Sequence, residues 1–295
     1  MNPERGALGD ALHRLPAGIR HGVPRSLRDQ VRRRVGPFAP WESGFDHRRP
    51  PEPIAGEEPG PPDFVGIGAQ KAGTTWWFAQ IVAHPGVHHP ASIHKERHYF
   101  APFALEDFGP AEIDGYHAWF PRPAGTLTGE WTPDYMCQPW VPELLAQAAP
   151  DTRLLVILRD PVERLVSGVA HSGVGASTHV GAVAMEAVTR SLYEQALRRW
   201  LARSDPSRML VLQYERLVAE PTVQLRRTYE FLGLDASFVP PELAVPVSVT
   251  RTDVHLGARA RGRLVELLRP DVAALSELVP DLDLALWPNF RGGVE

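Results

Sequence analysis

The sequence predicts an α/β fold, with a P-loop-type central parallel β-sheet flanked by helices in a single domain over residues 63–295. Three observations lead there. Short apolar runs alternate with amphipathic stretches along that span, the pattern of strand–helix–strand units. One run, Arg153-Leu154-Leu155-Val156-Ile157-Leu158, is apolar almost throughout, as in a strand covered on both faces. Another, Phe64-Val65-Gly66-Ile67, passes directly into the glycine-rich string Gly68-Ala69-Gln70-Lys71-Ala72-Gly73-Thr74-Thr75.

Residues 1–62 differ in character from the rest and read as a basic extension with a proline-rich linker. Five arginines between Arg25 and Arg34, with Leu27 and Val31 at helical spacing, suggest a short solvated helix. Six prolines between Pro50 and Pro62 make an extended connection. The strand at Phe64 then leads into a helix from Thr74 to about His84. Thr126–Trp131 and Arg153–Leu158 are the next strands, and Pro161–His171 is a helix with proline near its first turn. Met185–Arg203 reads as one long amphipathic helix and Arg208–Gln213 as a buried strand. Pro221–Leu232 is a helix closed by Gly233, and Leu264–Leu278 is helical with a break at Pro270.

The 295 residues are 43% apolar and 22% charged, the proportions of an ordinary globular protein. A net charge of −4 argues against a nucleic-acid partner. The single cysteine, Cys137, excludes an internal disulfide and suits a reducing compartment. No apolar run is long enough to span a bilayer, and the first residues lack the apolar core of a signal peptide. A cytoplasmic location without a transmembrane segment is the expectation.

Cation usage marks the site. Of 31 Lys and Arg residues, only Lys71 and Lys95 are lysine, which points to a task for a compact ammonium that a planar guanidinium does poorly. Gly68 and Gly73 have the G-x-x-x-x-G spacing of a nucleotide phosphate loop. Main-chain N–H groups from Ala72 onward can converge on an anion there, and the helix beginning at Thr74 turns its positive end toward it. The hydroxyls of Thr74 and Thr75 add donors. Lysine lies inside the loop, at 71, and threonine stands at 74, where the NTPase pattern has lysine.

A second element follows the Arg153–Leu158 strand: Arg159-Asp160-Pro161, then Glu163-Arg164 and Ser167. The C-terminal end of a strand is where open α/β sheets bind ligands, and Arg159 offers a fork for a phosphate. Asp160 reads either as the magnesium aspartate of an NTPase or as a helix cap, so a P-loop kinase or NTPase acting on a small molecule is the alternative function. Together, Gln70-Lys71-Ala72-Gly73-Thr74-Thr75 and Leu158-Arg159-Asp160-Pro161-Val162-Glu163-Arg164-Leu165-Val166-Ser167 resemble the sulfotransferases that use 3′-phosphoadenosine 5′-phosphosulfate (PAPS). The pattern is that of the branch holding the heparan sulfate glucosaminyl sulfotransferases and their bacterial relatives. Lys95-Glu96-Arg97-His98-Tyr99-Phe100, Gly129-Glu130-Trp131-Thr132-Pro133-Asp134-Tyr135 and Phe231-Leu232-Gly233-Leu234 extend the similarity over about residues 63–290.

The resemblance implies that Lys71, Ala72, Gly73, Thr74 and Thr75 hold the 5′-phosphosulfate, and that Arg159 and Ser167 hold the 3′-phosphate. Arg251 matches the arginine of a late cofactor-closing loop, which usually reads Lys-Gly-Arg and here reads Val249-Thr250-Arg251. Family members often carry lysine where Trp131 stands, a departure that argues against an acidic acceptor. PAPS is then the donor, no metal takes part, and the acceptor is a glycan or small molecule.

Sulfuryl transfer requires the acceptor hydroxyl or amine to lose a proton. The resemblance places the general base at Glu96, with His98 and Glu130 as competitors. His94 and His98 stand at i, i+4, but the glutamate between them is third rather than second, unlike the zinc signature H-E-x-x-H. Aromatic residues crowd positions 99–140, and core packing is the expected fate of most of them.

Overall fold

The computed structural model describes residues 50–90, 94–171, 180–241, 243 and 256–292. Arg251 and the basic stretch Arg25–Arg34 lie outside the described residues. Four parallel strands form the central sheet: β2 (Phe64–Gly68), β4 (Gly129–Trp131), β5 (Arg153–Leu158) and β6 (Met209–Gln213), in the order β4-β2-β5-β6. Within the proline-rich stretch, β1 (Glu57–Glu58) pairs antiparallel with β3 (Arg122–Pro123). The helices are α1 (Thr74–Val82), α2 (Pro110–His117), α3 (Val141–Ala148), α4 (Pro161–His171), α5 (Val180–Thr189), α6 (Tyr193–Leu201), α7 (Tyr214–Ala219), α8 (Pro221–Leu232) and α9 (Ala258–Leu278). Among the described residues no helix is long and apolar enough to cross a membrane.

The two innermost strands, β2 and β5, are almost wholly buried because helices cover both faces. The chain leaving β2 returns as β4 on one side, whereas β5 lies on the other side and leads on to β6. The connections onward from β2 and β5 therefore run to opposite sides and leave a crevice at the strands' C-terminal ends, where such sheets bind ligands.

The expected strands and helices appear in the expected order, with three differences. The stretch Met185–Arg203 is two helices, α5 and α6, with a break at Arg190–Leu192. The carboxylate of Asp271 accepts hydrogen bonds from Tyr193 N at 2.8 Å and Glu194 N at 3.1 Å, so a partner from α9 caps the second helix. Conversely, α9 runs from Ala258 to Leu278 straight through Pro270. Proline removes one intrahelical hydrogen bond, but Leu268, Val272 and Leu275 lie fully buried on either side of it, and this packing keeps both halves helical. The strand expected at Thr126–Trp131 is ladder-paired only from Gly129, with Leu127 bridging separately to Val87.

Trp131 is a sheet residue. Its ring lies flat over Gly66, where an added Cβ would fall 2.0 Å from the indole, and its Nε1 donates to Gly68 O at 3.1 Å. Replacing Gly66 with alanine should therefore cost about 1–3 kcal/mol, the scale of overpacking a filled core. Urea unfolding checks this, and an unchanged midpoint would show that the ring can move aside.

Candidate active site

The loop after β2 and the loop after β5 meet in the crevice between their strands. Arg159 Nη1 donates to the main-chain oxygen of Lys71 at 3.1 Å, tying the two loops together. Lys71 needs such a tie, since at φ 69° it occupies the left-handed region that non-glycine residues seldom adopt. Gly73, the residue before α1, is also left-handed at φ 84°, and a Cβ there would press to 2.9 Å against the ring of Tyr214. Only glycine fits both constraints. The first-turn N–H groups of α1 have no acceptor within the helix and open toward the loop. Thr74 is buried and Thr75 exposed.

Tyr214, the first residue of α7 directly after β6, carries no motif, yet it braces both loops. It lies against Gly73, and the Arg159 guanidinium stacks over its ring at 4.8 Å. Tyr193 donates to Arg159 O at 3.0 Å. The signal for Tyr214 was its place after a third buried strand, the same edge that yields the other two loops. Burial, and then the charges of Arg159 and Arg164, push the Lys71 ammonium pKa down. Cations so crowded are suited to a polyanion, which would relieve their repulsion. Ser167 lies buried on α4, two turns beyond Arg159.

Asp160 is a helix cap. Its Oδ1 accepts from Val162 N at 2.9 Å and Glu163 N at 3.2 Å, and its Oδ2 from the main chain and side chain of Asn289 at 2.9 and 3.0 Å. The magnesium reading finds no support in this geometry.

The segment His94–Phe100 carries Glu96 and His98, the expected candidates for the general base. Lys95 Nζ donates to Glu96 Oε1 at 2.5 Å, and His98 Nε2 lies 3.2 Å from Glu96 Oε2. On the other side of the imidazole, Asp134 Oδ2 is 3.9 Å from His98 Nδ1, and Arg190 Nη1 donates to Asp134 Oδ1 at 2.6 Å. No local pattern points to this Asp134–Arg190 pair, whose members are 56 positions apart. Burial pushes the Glu96 carboxyl up, but the His98 hydrogen bond and the Lys95 charge outweigh it and hold the pKa at about 2. Burial dominates at Lys95, lowering its pKa despite the pull of Glu96.

Glu130 stands apart from these groups. It is fully buried and accepts from Thr132 Oγ1 at 2.6 Å, Tyr116 Oη at 2.7 Å, Arg97 N at 3.2 Å and Tyr135 Oη at 3.3 Å. Burial raises its pKa against the opposing pull of Thr132 and Arg97. Such a network suits an anchor better than a base that must reach a substrate. Of the crowded aromatics, Tyr99, Phe100, Tyr116, Phe120 and Tyr135 belong to the core. Trp76 and Trp77 are both buried, and Trp77 Nε1 donates to Thr228 on α8 at 3.1 Å. No group of His, Cys, Asp and Glu suited to a metal occurs among the described residues.

A family model described as "Sulfotransferase family" matches residues 116–238. Heparan sulfate glucosamine 3-O-sulfotransferase 6 of Mus musculus is 31% identical over 215 residues, covering 67% of this chain and 60% of that protein. Its Homo sapiens counterpart is 29% identical over 218 residues, covering 69% and 58%. This chain belongs to the sulfotransferase family. It spans about three-fifths of the length of these relatives. The fold agrees: a sulfotransferase from Alicyclobacillus acidocaldarius superposes with a TM-score of 0.60 at 23% identity, over 77% of this chain and 98% of that one.

The electrostatics of Glu96 have a measurable consequence. Its folded pKa of about 2 lies below the ordinary 4.5, so the ionised form favours the folded state. That contribution is complete above pH 4.5 and fades as pH falls toward 2. The stability difference between the wild type and Glu96→Gln should shrink across this window in urea titrations, and a flat difference would contradict the arrangement.

Proposed function

We propose that this protein transfers the sulfuryl group of PAPS to a hydroxyl or amine of a glycan or small-metabolite acceptor. The observation that carries the reading is the Arg159–Lys71 hydrogen bond, which brings the two anion-binding loops together at the sheet's switch point. Family membership supports it, and the names of the relatives favour a glycan acceptor.

In this reading the bound donor supplies a sulfuryl group on a phosphate leaving group. The S–O bond to the donor phosphate breaks as one forms to the acceptor oxygen or nitrogen. Lys71 and the first N–H groups of α1, with Thr74 and Thr75, neutralise the charge that grows on the departing phosphate. Arg159 and Ser167 hold the 3′-phosphate, and the family resemblance adds Arg251 to the donor's partners. Glu96 accepts the acceptor's proton. Lys95 and His98 keep that carboxylate ionised and aimed, at the cost of making it a weak base. A loose transition state asks for positioning and charge stabilisation more than for a strong base. Trp131, packed on Gly66, offers no cation to an acidic acceptor at that point.

The test is incubation with labelled PAPS and an acceptor panel of heparan-type glycans, neutral sugars, phenols and lipids, with and without EDTA. Sulfated product that forms equally in EDTA is expected. Failure of the wild type to bind adenosine 3′,5′-bisphosphate in calorimetry would overturn the reading. Lys71→Ala should lower kcat by about 100-fold or more, the scale of losing one oxyanion donor. Wild-type turnover in that variant would remove Lys71 from the mechanism. Arg159→Ala should mainly weaken affinity for the bisphosphate, by about tenfold or more for a charge-assisted hydrogen bond. Unchanged calorimetric affinity would contradict its assignment.

A further inference from the structure

The segment that carries Glu96 and His98 has no helix or strand of its own between His94 and Tyr99. Its main chain is held from outside by the end of β4 and the stretch that follows it. Trp131 N donates to Lys95 O at 2.8 Å, and Tyr99 N donates to Tyr135 Oη at 2.9 Å. Between these two fixed points lie Arg97 and His98, whose N–H groups both donate to one atom, Thr132 Oγ1, at 2.9 and 3.3 Å. The same hydroxyl spends its proton on Glu130 Oε2 at 2.6 Å. Thr132 itself is completely buried and tied to the sheet, since its N–H donates to Gly66 O at 2.9 Å.

The residue so gripped is in an unfavourable conformation. His98 has φ 50°, in the left-handed region, and it persists there only where its surroundings impose it. With that backbone its imidazole Nε2 reaches Glu96 two residues back, at 3.2 Å. An extended backbone at His98 would direct the ring elsewhere.

We propose that Thr132 is a positioning residue for sulfuryl transfer: its hydroxyl takes the His98 N–H while Tyr135 Oη takes that of Tyr99, and by fixing the peptide plane before His98 against the one after it, Thr132 keeps His98 in the left-handed conformation that sets the imidazole on the Glu96 carboxylate. The inference rests on the proposed function, because the Glu96–His98 pair matters only if Glu96 takes the acceptor's proton. Glu130 is the upstream anchor. It orients the Thr132 hydroxyl so that both lone pairs face the segment.

Thr132→Val removes the acceptor at nearly constant shape, and Thr132→Ser keeps it. The main readout is proton NMR of the downfield Nε2–H resonance of a carboxylate-bound histidine, assigned by its loss in His98→Gln and in Glu96→Gln. It requires no acceptor substrate. The resonance should persist in Thr132→Ser and vanish in Thr132→Val, while both variants bind adenosine 3′,5′-bisphosphate as the wild type does. For any acceptor the panel yields, kcat should fall by about 100-fold in Thr132→Val, as for a reacting group misplaced by about an ångström, with KM little changed and activity restored by serine. Should thermal melts show Thr132→Val unfolded, Thr132→Cys, a weaker acceptor of similar volume, takes its place with the same expectation. A resonance and kcat unchanged in the folded valine or cysteine variant would overturn the proposal, as would absence of the resonance from the wild type. A wild type that does not bind the bisphosphate defeats the functional reading instead, a result separate from either of these.

Discussion

The contact on which the rest of the site depends is the hydrogen bond from the Arg159 guanidinium to the main-chain oxygen of Lys71. It joins residues 88 positions apart, at the ends of the two strands where the sheet's connections diverge. It also holds a lysine in a left-handed conformation that costs roughly 1–2 kcal/mol to adopt. Without it, the loop after β2 would be free to relax, and the ammonium and the first N–H groups of α1 would lose their common direction. Tyr214 completes the arrangement, with one ring serving as floor for the guanidinium and as wall against Gly73.

The half of the site proposed to move the proton is built on the same plan from different parts. There a second residue, His98, is held in a left-handed conformation, and the grip comes from Thr132 and the buried Glu130 network. Both halves thus consist of irregular backbone pinned by a side chain from a neighbouring strand end. Irregular segments can place functional groups where helices and strands cannot, provided their polar main-chain groups find partners. Charge follows a related logic. Lys71 is crowded by cations and calls for an anion, whereas Glu96 is surrounded by donors and keeps its charge.

Much of this was legible along the chain. The buried run at Arg153–Leu158 and the glycine string at 68–73 each show a local pattern, and local patterns survive folding when the layers they imply are built. Other features were not legible, because they depend on partners distant in the sequence. The break between α5 and α6 is set by Asp271, which lies 78 positions from the N–H group it caps. The continuity of α9 through Pro270 is a matter of packing, which overrides the local preference of proline. Glu130 stood as a third candidate base, but Tyr116 and Thr132 draw it into the core.

The sequence by itself determined the order of strands and helices, the glycine-rich loop and the Arg159 loop proposed to hold the donor, and the titratable groups proposed to move a proton. It did so because periodicity, glycine placement and residue chemistry are properties of short segments. Only the tertiary structure decided which of those groups meet: Arg159 with Lys71, His98 with Glu96, Glu130 with the core and Trp131 with Gly66. Hydrogen bonds and ring contacts act over a few ångströms in space, and distance along the chain says nothing of them until the sheet has brought its strands side by side.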